Sequence, residues 1–171
     1  MMLNNCALGM SGELSEMIGL LDDDLDQPVL AWGGTPGITP EKIRGELGDF
    51  LWYLAMAQKT IGICQLDFED LRPGQPVWEK FLEQSGMGSA TWAQVVITLQ
   101  EHVGDLCDHL KKHIHQGHVF EAEKMVVVLT RIAALVWVID NNPSKTRSEN
   151  IEKLRSRYPD GFSEERSKDR A

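Results

Sequence analysis

Two pairs of carboxylates carry the chemistry that is legible in this chain. "GELSEM" sets Glu13 and Glu16 three residues apart, and "GELGDF" does the same with Glu46 and Asp49. Residues three apart on an α-helix share a face, so each pair projects its oxygens together. Each pair also sits one residue ahead of its helix's apolar stripe, at the margin of a core. Packed face to face, the two helices would gather four carboxylates into a partly dry cluster, where like charges raise one another's pKa unless a cation neutralises them. A hard divalent ion meets that need. Mg²⁺ takes oxygen ligands, keeps several waters and shares itself between carboxylates and a substrate's phosphates; Mn²⁺ is the alternative. One such pair alone would more often be a solvated helix edge. Two pairs on successive helices, each preceded by glycine and embedded in apolar periodicity, favour a built site.

The elements that must position these acids are helical, and nothing in the chain alternates as a strand does. Leu3, Ala7, Met10, Leu14, Met17 and Leu21 form a stripe that predicts a first helix ending near the acid run Asp22 to Asp24. After the loop "DQPVLAWGGTPG", Thr39 reads as an N-cap with Pro40 at the first helical position. Ile43, Leu47, Phe50, Leu54, Ala57 and Ile61 then continue a second helix to Gly62. These two should form an antiparallel hairpin. "RPGQP" and "GMGS" bracket a short connecting segment. A third long helix is expected from about Ala90 to Gln116 and a fourth from about Phe120 to Asp140, stopped by Asn142-Pro143. One more short helix is expected from Ser148 to Arg157.

At 171 residues, 42% hydrophobic and 25% charged, the chain has the proportions of one globular domain with a real core. Its apolar stretches are broken well short of the roughly 18–20 residues a bilayer span requires, and no secretory leader pattern opens it. Cys6, Cys64 and Cys107 suggest neither a disulfide framework nor a zinc knuckle, so a cytoplasmic protein is expected. A net charge of −9 disfavours nucleic acid as a partner. Residues 1–50 hold nine acids against Lys42 and Arg44, whereas residues 145–171 hold eight bases against six acids. An acidic half suited to cations is joined to a basic end suited to anions.

The chain also echoes itself. "GELSEMI" at Gly12 is matched by "GDLCDHL" at Gly104, and the run around Trp52 by that around Trp137. Residues 1–70 then form a first hairpin with an intact metal motif, and residues 90–171 a second, degenerate one with a basic tail, within a single all-α domain. In the second copy Asp105 and Asp108 remain, but Arg131 and Ala134 stand opposite Glu46 and Asp49, so those aspartates read as a vestige.

"ALGMSGELSEMI" followed by "EKIRGELGDFLWYLAMAQKTIGI" resembles the ExxE and ExxD signature of the MazG-like, all-α nucleoside triphosphate pyrophosphohydrolases. "KKHIHQGH" resembles the family's continuation after its ExxE helix, and "NIEKLRSRYPDGFSEERS" its closing segment. The resemblance covers roughly residues 6–66 and 101–167, divided between the two halves. It implies that Glu13, Glu16, Glu46 and Asp49 bind Mg²⁺, and that Asn150, Lys153 and Arg157 contact a triphosphate. The implied reaction is hydrolysis of a nucleoside triphosphate between its α and β phosphates, with Glu16 or Glu46 accepting the proton of the attacking water. The family commonly assembles several chains around its sites, which leaves a homodimer open.

Trp32, on the loop between the acid pairs, is a candidate for stacking on a base, whereas Trp52 and Tyr53 lie in a helix where core packing is the default. His109 and His113 have metal-ligand spacing on a helix, but without a thiolate partner a polar helix end is the better account.

Overall fold

The computed structural model describes residues 2–21, 41–62, 75–85, 90–140 and 142–159. Among these the architecture is all-helical: α1 (Met2–Leu20), α2 (Glu41–Ile61), α3 (Pro76–Ser85), α4 (Trp92–Gln116), α5 (Ala122–Ile139) and α6 (Pro143–Arg157). None of these helices is long and apolar enough to cross a membrane.

The expected stripes are the core. Ala7, Met10, Leu14, Met17 and Leu21 of the first segment are buried against Ile43, Leu47, Phe50, Leu54 and Ala57 of the second. The hairpin is antiparallel, because the Thr60 hydroxyl reaches Met2 Sδ at 3.4 Å while Tyr53 lies against Gly9. Gly62 ends α2 in the left-handed region at φ +78°, which a side chain would resist. The expected Thr39 and Pro40 start of that helix lies outside the described residues.

Thr91 starts α4 with a capping box: its hydroxyl accepts from the Gln94 N–H, and the Gln94 side chain accepts from the Thr91 N–H at 2.8 Å. Gly117, at φ +70°, ends it, and the His118 N–H closes on the Lys112 carbonyl. In α5 every residue from Ile132 to Ile139 is buried. A helix apolar all round belongs at the centre of a bundle, and α5 packs against α4, α2 and α3. The first helices of the two hairpins, α1 and α4, also pack on each other.

The last helix differs from expectation. It begins at Pro143, not near Ser148, because Asn142 acts as its N-cap, accepting from the Lys145 N–H at 3.0 Å with Pro143 just inside. The Asn142-Pro143 pair therefore starts a helix as well as stopping one. The buried Asp140 fixes the turn: its carboxylate accepts from the Asn142 N–H at 3.0 Å and from the Thr146 hydroxyl at 2.5 Å. Helix α6 then runs parallel to α2, with Asn150 beside Gly48 and Lys153 beside Asp49.

Candidate metal centre

Glu13 and Glu16 leave α1 on the side that faces α2, and Glu46 leaves α2 toward them. Leu14 and Met17 on one helix, and Leu47 and Phe50 on the other, are fully buried one residue on, which sets the acids at the rim of the hairpin core. One carboxylate oxygen from each glutamate can be chosen so that all three lie within 4.8 Å of one another. Glu13 and Glu46 are half-buried and Glu16 is exposed.

That proximity has an electrostatic consequence. Glu13 is pushed up to about 7, chiefly by burial and then by the charges of Asp49, Glu16 and Glu46, with Lys153 opposing. Glu46 is raised too, by burial first and then by Glu16 and Asp49, while Lys153 and a hydrogen bond from Glu13 oppose. Near neutral pH Glu13 is thus only partly ionised, which eases the repulsion within the cluster. The donors are all carboxylate oxygens and carry more negative charge than their surroundings neutralise, so the residues fit a hard divalent cation such as Mg²⁺ or Mn²⁺.

Asp49 adjoins the three glutamates, its charge being the strongest of the neighbouring charges acting on Glu13, and it is itself paired. Its Oδ2 lies 2.6 Å from Lys153 Nζ, in a pair whose side chains are only 26% and 28% exposed. The four acids expected to converge are therefore three glutamates plus an aspartate tied to a lysine across 104 residues of sequence. Lys153 is brought there by Asn150, one turn back on α6, whose Nδ2 donates to the Gly48 carbonyl at 2.8 Å. Asn150 is 5% exposed, and its Oδ1 is sealed without a hydrogen-bond partner. A Cβ on Gly48 would come within 2.9 Å of Asn150 Cβ, so the absence of a side chain there lets α6 lie down on α2. A cleft of ≈ 270 Å³ opens between these helices, lined by Arg44, Gly45, Thr146, Glu149, Asn150 and Lys153. Arg157 is exposed one turn beyond Lys153, with no ion pair to another described residue. Trp32 lies outside the described residues.

Trp52 is a correction: at 41% exposure it is not core, since α2 turns positions 50, 51, 54 and 57 inward and leaves 52 on the flank. It meets Tyr53 edge to face, with centroids 5.0 Å apart. Tyr53 packs against the core, lying where a Cβ on Gly9 would be 2.4 Å from its ring. Burial raises its hydroxyl, with Glu13 and Asp49 adding to the effect. Spacing does not mark Arg44 or Gly48 as site residues, and it assigns Tyr53 to the core. The only sequence signal for Gly48 was its place between Glu46 and Asp49.

The second hairpin gathers no such group among the described residues. Asp108 is held down to about 2 by hydrogen bonds from Lys112 and Lys111 on its own helix. Asp105 lies 3.9 Å from His102, and burial together with the nearby Arg131 lowers that imidazole's pKa. His109 and His113 close the α4–α5 turn. His109 Nδ1 pairs with the Asp105 carbonyl at 3.3 Å and Nε2 faces Glu121 at 3.6 Å, while His113 Nδ1 meets the His118 carbonyl at 2.8 Å.

Comparison with family models, with curated proteins and with solved structures yields no match to this chain.

Proposed function

We propose that this protein is a Mg²⁺-dependent hydrolase of nucleoside triphosphates, of MazG-like type, releasing a nucleoside monophosphate and pyrophosphate. The observation that carries the reading is the convergence of Glu13, Glu16 and Glu46 within 4.8 Å, with Asp49 and its partner Lys153 of α6 beside them. Its supports are the residue pattern of both acid motifs and of the closing helix, and a donor set suited to a hard cation.

In this reading Glu13, Glu16, Glu46 and Asp49 hold the ion, which when bound offsets charge on the phosphoryl oxygens and lowers the pKa of a water. Glu16 or Glu46 accepts the proton as water attacks the α-phosphorus and the bond to the α–β bridging oxygen breaks. Lys153 and Arg157 supply cations to the departing pyrophosphate, and Asn150 orients α6. The wider proposal includes a tandem origin for the two hairpins, which the packing of α1 on α4 supports, and assembly as a homodimer.

A second reading, a nucleotide-binding or regulatory protein without turnover, is favoured by one observation: Lys153 occupies Asp49, which the catalytic reading assigns to the metal. One experiment separates them. The purified protein is incubated with Mg²⁺ and a panel of NTPs and dNTPs, and pyrophosphate is measured. The hydrolase reading expects release from at least one nucleotide and its loss in Glu46→Ala. No release from any, with Glu46→Ala binding nucleotide as wild type does, would sink it; binding without release would favour the regulatory reading.

A further inference from the structure

Lys153 belongs to two places at once. It pairs with Asp49 at the edge of the acid cluster, and it lines the α2–α6 cleft together with Arg44. Of the cleft's charged groups, Glu149 faces Lys145 at 3.6 Å and Lys153 is taken by Asp49, whereas Arg44 has no ion pair to a described residue. Arg44 therefore stands in the cleft as a cation without an ion pair among the described residues, and Lys153 would join it if released from Asp49. At ≈ 270 Å³ the cleft falls just below the roughly 300–1,000 Å³ of pockets that enclose a whole drug-sized ligand, so it suits a part of one, such as a phosphate group.

On the metal-centre reading above, on which this inference rests, we propose that Lys153 is a two-position cation that couples the metal centre to an anion subsite in the α2–α6 cleft. While the carboxylates lack a metal, Lys153 neutralises Asp49. When a divalent cation takes Asp49, the ammonium swings on its flexible stem to the cleft, where with Arg44 it holds a phosphate. Anion affinity then rises with metal occupancy, and linkage requires the anion to tighten the metal by the same factor. Arg44, outside both acid motifs, becomes a phosphate-binding residue.

Calorimetric titration of the full chain tests this, with Mg²⁺ alone, with inorganic phosphate alone, and with phosphate at saturating Mg²⁺. Wild type is expected to bind phosphate about tenfold more tightly with Mg²⁺ present. Lys153→Met should lose that coupling yet bind Mg²⁺ alone severalfold more tightly, because the cation competing for Asp49 is gone. Lys153→Arg keeps the charge and the pair and should retain the coupling. Arg44→Gln should weaken phosphate about tenfold with Mg²⁺ affinity unchanged.

Coupling that persists in Lys153→Met overturns the proposal, since the metal would then hold the anion directly. So does weaker Mg²⁺ binding in Lys153→Met, or loss of coupling in Lys153→Met and Lys153→Arg alike, as expected of a residue that only braces α6. Mg²⁺ binding without coupling in wild type defeats the exchange alone; no Mg²⁺ binding at all defeats the metal-centre reading with it.

Discussion

Lys153 Nζ stands 2.6 Å from Asp49 Oδ2, a pair that joins the last described helix to the second and sets a cation against the acid cluster. It is the cation that holds down both Glu13 and Glu46, yet both still rise, so one ammonium does not balance four acids.

That imbalance sets a pH dependence. Glu13 titrates near 7 in the folded chain against an ordinary 4.5. Below pH 4.5 it is protonated folded or unfolded; between 4.5 and 7 the unfolded chain gives up its proton while the folded one keeps it, so stability falls, and above 7 the loss is complete. Glu46 acts in the same direction. Without divalent ions the Tm should therefore drop from pH 5 to pH 8, and Mg²⁺ should raise it more at pH 8 than at pH 5. An equal Mg²⁺ effect at both pH values, by scanning fluorimetry, would refute this.

Replacing Glu13 with Gln removes one of the repelling charges. The metal-free variant should melt higher than wild type at pH 8, by on the order of 2 °C given how exposed the cluster is. The same variant should lose most of the Mg²⁺-dependent rise. Thermal melts with and without Mg²⁺ measure both effects, and a variant that melts lower but still responds fully to Mg²⁺ would refute the assignment.

Gly45 and Gly48 make a matched pair on α2. A Cβ at Gly45 meets nothing within 4 Å, so Gly45→Ala should stabilise by about 0.5–1 kcal/mol through helix propensity. A Cβ at Gly48 strikes Asn150, so Gly48→Ala should cost about 1–3 kcal/mol and lift α6. Urea unfolding of both variants gives the comparison, which fails if they shift in the same direction.

Thr146 holds the α5–α6 turn by donating to the buried Asp140 carboxylate. Thr146→Val keeps the shape and removes the donor, which should cost about 1–3 kcal/mol. Because the turn aims α6, phosphate binding in the cleft should weaken as well. Thr146→Ser, which keeps the hydroxyl, should recover most of both losses; a Thr146→Val variant as stable as wild type would count against this.

Most of the helices were legible in the sequence because amphipathic periodicity states which side of a helix avoids water. The stripes of α1 and α2 became the buried seam, and the acids one residue ahead of each stripe position could only lie at its rim. Gly62 and the acid spacing were equally local facts. Helix α6 was not legible in this way. It is polar, and of its residues only Pro143, Thr146 and Asn150 are buried, so no stripe announces its partner. Its place rests on single contacts across more than a hundred residues: Asn150 with the Gly48 carbonyl, and Lys153 with Asp49. Spacing likewise gave the four acids equal standing, whereas in the fold Asp49 both acts on Glu13 and Glu46 and pairs with a lysine that spacing does not point to. Local spacing determined which side chains share a face. Only tertiary packing decided which faces meet, because that depends on long-range contacts and on gaps as small as the missing Cβ of Gly48.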